Sequence, residues 1–415
     1  MSGTALAQAV TILSAPVLSR LFTPEHFGLL TLYSSIISVM AILASGRYEI
    51  AVVLPDKDEE AANVMGVSML LTLAVSFAAG AGLALLFLTD SPWTQAIDSL
   101  WAVWIPASVL AMGGYQCLNY WSTRRQTFRR QSVSQMVRSG GVTGTQLSTG
   151  LAGWGGAGLI MGQLAGQWLA TLMLGYQTWR EDGRQIKGSL NWSGMKQAFA
   201  KYKQFPLFNL PQSLLSSLSQ HAAPVMLAFY YGAAAAGLYG LALRLLQVPI
   251  QVISQSIRQV YLKRASTVHN AEGRLFPLYA KTTAGLALVG IAPACLIAVW
   301  GPEILAVVLG EQWREAGEYA RWMVLWLYCG YLNPPAYVTA QVLNKQKLIL
   351  VFEIAMTAVR TLALWYGFTT GSALTGIILF CLSGVVFQTG LIIGMGWIAS
   401  RSDRKRMNIN GERGR

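Results

Sequence analysis

Two arginines, Arg244 and Arg360, fall inside long apolar runs of this chain. A planar guanidinium grips phosphate or carboxylate oxygens through a bidentate fork, so cations placed there suit the holding of an oxyanion. Counted from the ends of their runs they lie roughly 14 and 20 Å deep, at 1.5 Å per helical residue. A central arginine costs about 2.5–3.5 kcal/mol on membrane-insertion scales, which favours a function or a strong internal partner. Three more arginines join them as binding candidates. Arg47 ends an apolar run beside Glu49, Arg20 ends the first run, and Arg138 lies in a run rich in Gly, Ser and Thr. Glu49, Glu353 and His221 are candidates for carrying a proton or a sodium ion. For the two glutamates an ion pair with a neighbouring arginine is the simpler role, and Glu353 precedes Arg360 by two turns on one helical face. For His221 the simpler role is that of a satisfied buried histidine.

Bond-making chemistry finds no support. No nucleophile stands with a base, and no paired carboxylates suggest a pocket. The four cysteines, Cys117, Cys295, Cys329 and Cys381, lie in apolar segments without metal-ligand spacing, and His26, His221 and His269 are scattered. No metal, cofactor or enzyme activity is expected.

The elements that must hold these residues are membrane spans. The 415 residues are 53% hydrophobic and 12% charged, where a soluble domain carries about 25% charge. A span needs about 20 mainly apolar residues. About twelve such segments emerge, near 3–21, 27–46, 62–88, 99–121, 132–152, 155–177, 205–231, 235–260, 276–299, 319–342, 347–369 and 373–398. The net charge of +13 sits in short loops between them, so it speaks for the positive-inside rule and anionic lipid headgroups rather than nucleic acid. Alternate loops hold the bases: Arg124 to Arg130, Arg180 to Lys203, Arg258 to Arg274, Lys345 to Lys347 and the tail from Arg401. The opposite loops hold Arg20, Arg314 and Arg321. This places both termini in the cytoplasm. Segment 132–152 is polar, but an even number of spans must separate the basic stretches 122–131 and 178–204. It is therefore predicted as a span that avoids lipid and lines an aqueous interior.

Residues 178–204 divide the chain into an N-lobe (1–177) and a C-lobe (205–398), with a basic tail over 399–415. In this linker Trp192, Met195, Phe199 and Tyr202 recur at helical spacing among Lys196, Lys201 and Lys203, which predicts an interfacial amphipathic helix. Ala15-Pro16-Val17 with Gly28-Leu29 and Leu32 is echoed by Ala223-Pro224-Val225 with Gly237-Leu238 and Leu241, a faint parallel repeat. Pro16, Pro106, Pro211, Pro224, Pro249 and Pro293 are expected to interrupt spans, as hinges or static kinks. Asn119, Trp121, Asn209, Gln220 and Asn333 are polar or aromatic candidates for facing a sugar.

Several stretches resemble one family. Ser19-Arg20-Leu21-Phe22-Thr23-Pro24-Glu25-His26-Phe27-Gly28 is similar to the opening signature of bacterial oligosaccharide (O-antigen type) flippases. So is Arg47-Tyr48-Glu49-Ile50-Ala51-Val52-Val53-Leu54-Pro55, followed by the acidic Asp56 to Glu60. Phe205-Pro206-Leu207-Phe208, Gly237-Leu238-Tyr239, Arg244 to Pro249 and Gly310-Glu311-Gln312-Trp313 with Ala316-Gly317 fit as well, in order along nearly the whole chain. Members usually begin with a longer, often basic segment, whereas this chain opens Met1-Ser2-Gly3, so a shortened start is expected.

The resemblance implies an all-α integral membrane protein of the multidrug/oligosaccharidyl-lipid/polysaccharide exporter (MOP) superfamily, MATE-like, with two six-helix lobes around a central cavity. It implies a flippase of the bacterial inner membrane that moves undecaprenyl-pyrophosphate-linked oligosaccharide to the periplasmic leaflet for O-antigen, capsule or exopolysaccharide synthesis. Alternating access through an arginine-lined cavity, driven by H+, Na+ or the membrane potential, is the expected mechanism. A polysaccharide polymerase and a chain-length regulator are expected partners. A drug exporter of the same superfamily is the nearest alternative, and its often cationic solutes fit net arginine charge poorly. A membrane polymerase or ligase is the other alternative; it needs a sizeable outward loop, and these loops are short.

Overall fold

The computed structural model describes residues 2–88, 102–271, 273–343 and 345–413. Secondary structure among them is helical throughout, with no strand. The helices are α1 (Ser2–Leu21), α2 (Pro24–Ser45), α3 (Tyr48–Ala51), α4 (Asp58–Leu88), α5 (Ile105–Arg124), α6 (Phe128–Leu151) and α7 (Gly155–Ser189). There follow α8 (Trp192–Lys201), α9 (Leu210–Asn270), α10 (Leu275–Leu309), α11 (Arg314–Tyr331), α12 (Pro334–Val342), α13 (Gln346–Thr370) and α14 (Ala373–Arg413). Seven described helices are long and apolar enough to cross a membrane, among them α2, α4, α7, α10 and α13. The protein is a multi-pass membrane protein. Every predicted span falls mainly on helical backbone among the described residues; residues 99–101 lie outside them.

Local chemistry explains most boundaries. Thr23 is the extended N-cap of α2, with Pro24 in the first turn and His26 Nδ1 accepting from the Thr23 N–H at 3.3 Å. Gly46, left-handed at φ 56, ends that helix. The prolines act differently from the expectation in places. Pro106 does not interrupt a span; it stands in the first turn of α5, where a missing N–H costs nothing. Pro16 and Pro293 lie inside continuous helices. The non-helical backbone inside long helices falls instead at Gly232 (φ 85) and Trp300. The predicted span 319–342 is two helices, separated at Leu332-Asn333, with Pro334 and Pro335 in the first turn of the second. Helix α7 runs on to Ser189, so the first part of the basic linker prolongs that helix beyond its apolar stretch and only Trp192–Lys201 is a separate helix.

The chain divides into two compact units, Met1–Ala228 with Gly232–Gly237, and Phe229–Tyr231 with Leu238–Arg415. In the first, the polar α6 packs on α7 and α1. Glycines 162 and 166 of α7 let it approach the α6 backbone, since a Cβ there would meet Gln146 and Val142. Gln146 Nε2 donates to Leu159 O at 3.0 Å, and Ser139 donates to Ala7 O at 2.6 Å. Some of the polar residues of α6 that lower its hydropathy thus bond to neighbouring helices, the usual glue of membrane bundles, while Ser148 and Thr149 bond within α6. In the same unit Gly28 and Gly237 meet. A Cβ on Gly28 would lie 1.8 Å from Ala233 O, and one on Gly237 would lie 1.9 Å from Pro24 O. The two glycines of the repeat therefore close one backbone-on-backbone crossing.

In the second unit the start of α10 is capped from α14. Buried Asp403 accepts from the Leu275 N–H at 3.0 Å and the Phe276 N–H at 2.8 Å, taking up two orphan donors of the first turn. Asp403→Ala is expected to cost about 1 kcal/mol, read as a lower melting temperature of the purified protein; an unchanged melt would mean that water serves those donors equally well.

Candidate functional site

The charged residues of the first unit gather where the basic loops are. Arg47 follows Gly46 and is itself left-handed at φ 62. Its Nη1 donates to Glu49 Oε1 at 3.3 Å, and Glu49 is fully buried. The acidic run after the motif meets the basic loop between α5 and α6. Asp58 pairs with Arg124 at 2.9 Å and Arg125 at 2.8 Å and accepts from Gln185 at 2.9 Å. Arg124 also donates to the carbonyls of Val52, Pro55 and Asp56, pinning the loop before α4. A cavity of about 660 Å³ opens beside them, lined by Pro55, Asp56, Asp58, Arg124, Arg125 and Gln126 among others. Glu60 accepts from Lys201 at 2.6 Å and Tyr202 at 2.9 Å, tying α4 to the end of α8.

Asp182 is a second buried carboxylate of this cluster. It pairs with Arg130 at 2.7 Å and Arg125 at 3.2 Å and accepts from the Trp121 indole at 3.1 Å. Glu181 joins Arg130 from the solvent side. Trp121, expected to face a sugar, is instead fully buried in this network. Burial pushes the Asp182 carboxyl up, but hydrogen bonds from Arg130 and Trp121 and the charges of Arg130 and Arg125 outweigh it, holding the group below its ordinary range. Asp182→Asn is expected to cost about 3 kcal/mol, because it leaves Arg130 short of a partner in a dry place. A depressed carboxyl contributes its stability above the unfolded value of about 3.9 and loses it as pH falls through the lower folded value. Acid titration of melting temperature should therefore show less loss below pH ~4 in Asp182→Asn than in the wild type. Equal acid sensitivity would remove this network as the cause.

The second unit holds its cations differently. Arg360 on α13 is 7% exposed. Its guanidinium carbon lies 4.0 Å from the centre of the Trp326 ring and 3.7 Å from that of Phe380. Nε donates to Phe380 O at 3.4 Å, and Nη2 is buried without a hydrogen-bond partner. Among the described residues no carboxylate lies within ion-pair distance of it. Glu353, two turns earlier on α13, accepts from the Tyr337 hydroxyl. Gly384 seats the Trp326 ring, whose nearest atom would lie 2.6 Å from a Cβ there. Arg244 is half-buried on α9. Asn333 donates to Gln388, both buried, and Asn333 Oδ1 has no partner among the described residues.

The remaining candidates stand apart. Arg20 is exposed at the end of α1, Arg138 is half-buried on α6 in the neighbourhood of Tyr115, and His221 is half-buried on α9. Within each unit the structure brings together Arg47 with Glu49, and Arg360 with two aromatic rings. The rings were not picked out from the sequence. Trp326 and Phe380 come from α11 and α14, and an aromatic in an apolar span carries no signal that separates a cation cover from core packing.

A helical multi-pass chain with cations inside its spans suits a transporter, and its fold is one that known transporters share. It is similar to a multidrug resistance MATE family transporter of the MOP superfamily in an inward-facing conformation, with TM-score 0.71, 14% identity and coverage of 97% of this chain and 95% of that one. It is equally similar to the lipid II flippase MurJ in an inward closed conformation, with TM-score 0.72, 12% identity and coverage of 97% and 89%. The chain belongs to the family of polysaccharide biosynthesis proteins, which matches residues 17–318. A curated relative is the succinoglycan biosynthesis transport protein ExoT of Rhizobium meliloti strain 1021, 24% identical over 403 residues, covering 94% of this chain and 76% of the relative.

Proposed function

We propose that this protein is a flippase that carries an oligosaccharide linked to undecaprenyl pyrophosphate from the cytoplasmic to the periplasmic leaflet of the bacterial inner membrane. The observation that carries the reading is Arg360, a cation buried on a candidate span with no carboxylate within ion-pair distance among the described residues, in a chain of the polysaccharide biosynthesis family. Flipping breaks no bond. It requires cations for the pyrophosphate and a hydrated path for the sugars, while the prenyl tail stays in lipid. Arg360, Arg244 and Arg47 are the proposed phosphate contacts, with Arg20 and Arg138 as further points along the path. Glu49, Glu353 and His221 are the groups available for proton or sodium coupling. The names of two similar proteins support the reading: one is a succinoglycan transport protein, the other a lipid II flippase.

The organisation that goes with it is a lobe over 1–177, a basic linker over 178–204, a lobe over 205–398 and a tail over 399–415, with both termini cytoplasmic. Its basic loops lie against anionic lipid headgroups, and a polymerase with a chain-length regulator uses the delivered saccharide for O-antigen, capsule or exopolysaccharide. The membrane potential suffices as a driving force. One charge crossing 100 mV gains about 2.3 kcal/mol, and a pyrophosphate carries negative charge outward.

The test is headgroup accessibility in proteoliposomes. The lipid-linked oligosaccharide is loaded, a potential of defined sign is imposed, and exposure of the sugar to an outside glycosidase is followed. Protein-dependent exposure supports the reading. Folded wild-type protein that exposes no lipid-linked saccharide, while expelling cationic drugs in the same vesicles, would replace it with a drug exporter.

A further inference from the structure

Arg47 and Glu49 form the loosest ion pair at the basic end of the first unit, and the backbone keeps it loose. Gly46 and Arg47 are both left-handed, at φ 56 and 62, a conformation uncommon for a non-glycine residue. The next residue, Tyr48, is immobilised: its hydroxyl donates to Phe199 O at 2.9 Å and its ring stacks on Phe199 at 5.5 Å. On that fixed frame Arg47 reaches Glu49 through a single Nη1 contact at 3.3 Å. Arg47 Nε and Glu49 Oε2 are both buried without a hydrogen-bond partner among the described residues. A bidentate fork would satisfy both atoms, yet two residues so close along a fixed turn do not form it. Their neighbours do better: Arg124, Arg125 and Arg130 meet Asp58 and Asp182 at 2.7 to 3.2 Å. The Glu49 side chain is fully buried, whereas that of Arg47 keeps 19% of its surface exposed.

We propose that Glu49 is a positioning residue that holds Arg47 in reserve, and that a phosphate oxyanion of the substrate competes with it for the guanidinium. The anion takes Arg47 by displacing a weak monodentate partner, and Glu49 takes Arg47 back when the anion moves on. An arginine held in place without a competing charge would bind the phosphate harder and release it more slowly; a bidentate pair would not open. This rests on the flippase reading for the identity of the anion, but the exchange itself is a binding property.

The experiment measures binding of geranyl pyrophosphate, by calorimetry, to the full chain in detergent. Arg47→Ala is expected to weaken binding about tenfold or more, the equivalent of about 1.4 kcal/mol. Glu49→Gln keeps an acceptor for Nη1 but removes the competing charge, so it should tighten binding by about the same factor while slowing turnover in proteoliposomes. Glu49→Ala, which leaves Arg47 unheld, should weaken it. Glu49→Asp, with a shorter and weaker hold, also tightens binding and serves if the Gln variant does not fold by gel filtration. Weakening in Gln, Asp and Ala alike would overturn the proposal and leave Glu49 a structural residue. Unchanged binding in Arg47→Ala would overturn it as well. Wild-type protein that shows this ordering but moves no lipid-linked saccharide would sink the flippase reading and leave the exchange standing.

Discussion

Gly28→Ala and Gly237→Ala should each disrupt the first unit, at a cost of about 2–3 kcal/mol or more. A single methyl group is a small change, but both positions place it inside a carbonyl oxygen. The Cβ of residue 28 would lie 1.8 Å from Ala233 O, and that of residue 237 would lie 1.9 Å from Pro24 O and 2.7 Å from Gly28 N. These are backbone atoms, so no rotamer relieves the overlap and the two segments must separate. Helix association in membranes relies on such close packing, because lipid offers no hydrophobic drive between helices. Gly82→Ala and Gly144→Ala are the controls, since nothing lies within 4 Å of a Cβ at either position. They should be neutral or stabilising by about 0.5–1 kcal/mol, the helical advantage of alanine. Melting of purified protein in one detergent reads all four. If the Gly28 and Gly237 variants melt with the controls, the crossing is not a packed contact of the resting protein.

Arg360→Met is expected to move stability and function in opposite directions. The arginine is nearly covered, has a buried Nη2 without a hydrogen-bond partner, and has no carboxylate within ion-pair distance among the described residues. A charge so placed costs about 2.5–3.5 kcal/mol on insertion scales. Trp326 and Phe380, at 4.0 and 3.7 Å, return part of it, about 0.5–2 kcal/mol for each cation–π contact. Methionine fills a similar path between the two rings without the charge. The folded protein should therefore be stabilised, by about 1 kcal/mol, while export of the lipid-linked saccharide falls about tenfold or more. Arg360→Lys should also export poorly, since an ammonium has no planar edge to offer a phosphate between two rings. A large loss of stability in Arg360→Met would make the residue a structural anchor. Undiminished export in a folded Met variant would remove it from the phosphate path.

Much of the fold was legible before any coordinates. Span length and hydropathy located helices such as α2, α4 and α10, because lipid requires each crossing segment to satisfy its own backbone. The charge count over Arg124 to Arg130 and Arg180 to Lys203 calls for an element at 132–152 that hydropathy alone passes over, and a helix, α6, lies there. The echo between Gly28-Leu29 and Gly237-Leu238 pointed to two residues that the structure presses together. Breaks were harder. Proline is the expected interrupter, yet Pro106 starts a helix and Pro16 stays inside one, while Gly232 and Trp300 carry the non-helical backbone. A proline removes one donor wherever it stands, and whether that breaks a helix depends on what packs around it.

The amino-acid sequence by itself determined that this is a helical membrane protein with cations inside its spans, and which residues those are. These properties follow from the solvent: hydrocarbon sets the length and composition of each segment locally, and the positive-inside rule sets its sense. Only the tertiary structure decided what each charge does next. It left Glu49 half-paired with Arg47, gave Asp182 to Arg130 and Trp121, and laid Arg360 between Trp326 and Phe380 rather than beside Glu353. Those choices join residues of separate helices, or of one turn held by another helix. They depend on angstrom-scale packing between segments far apart in the chain, which no local pattern encodes.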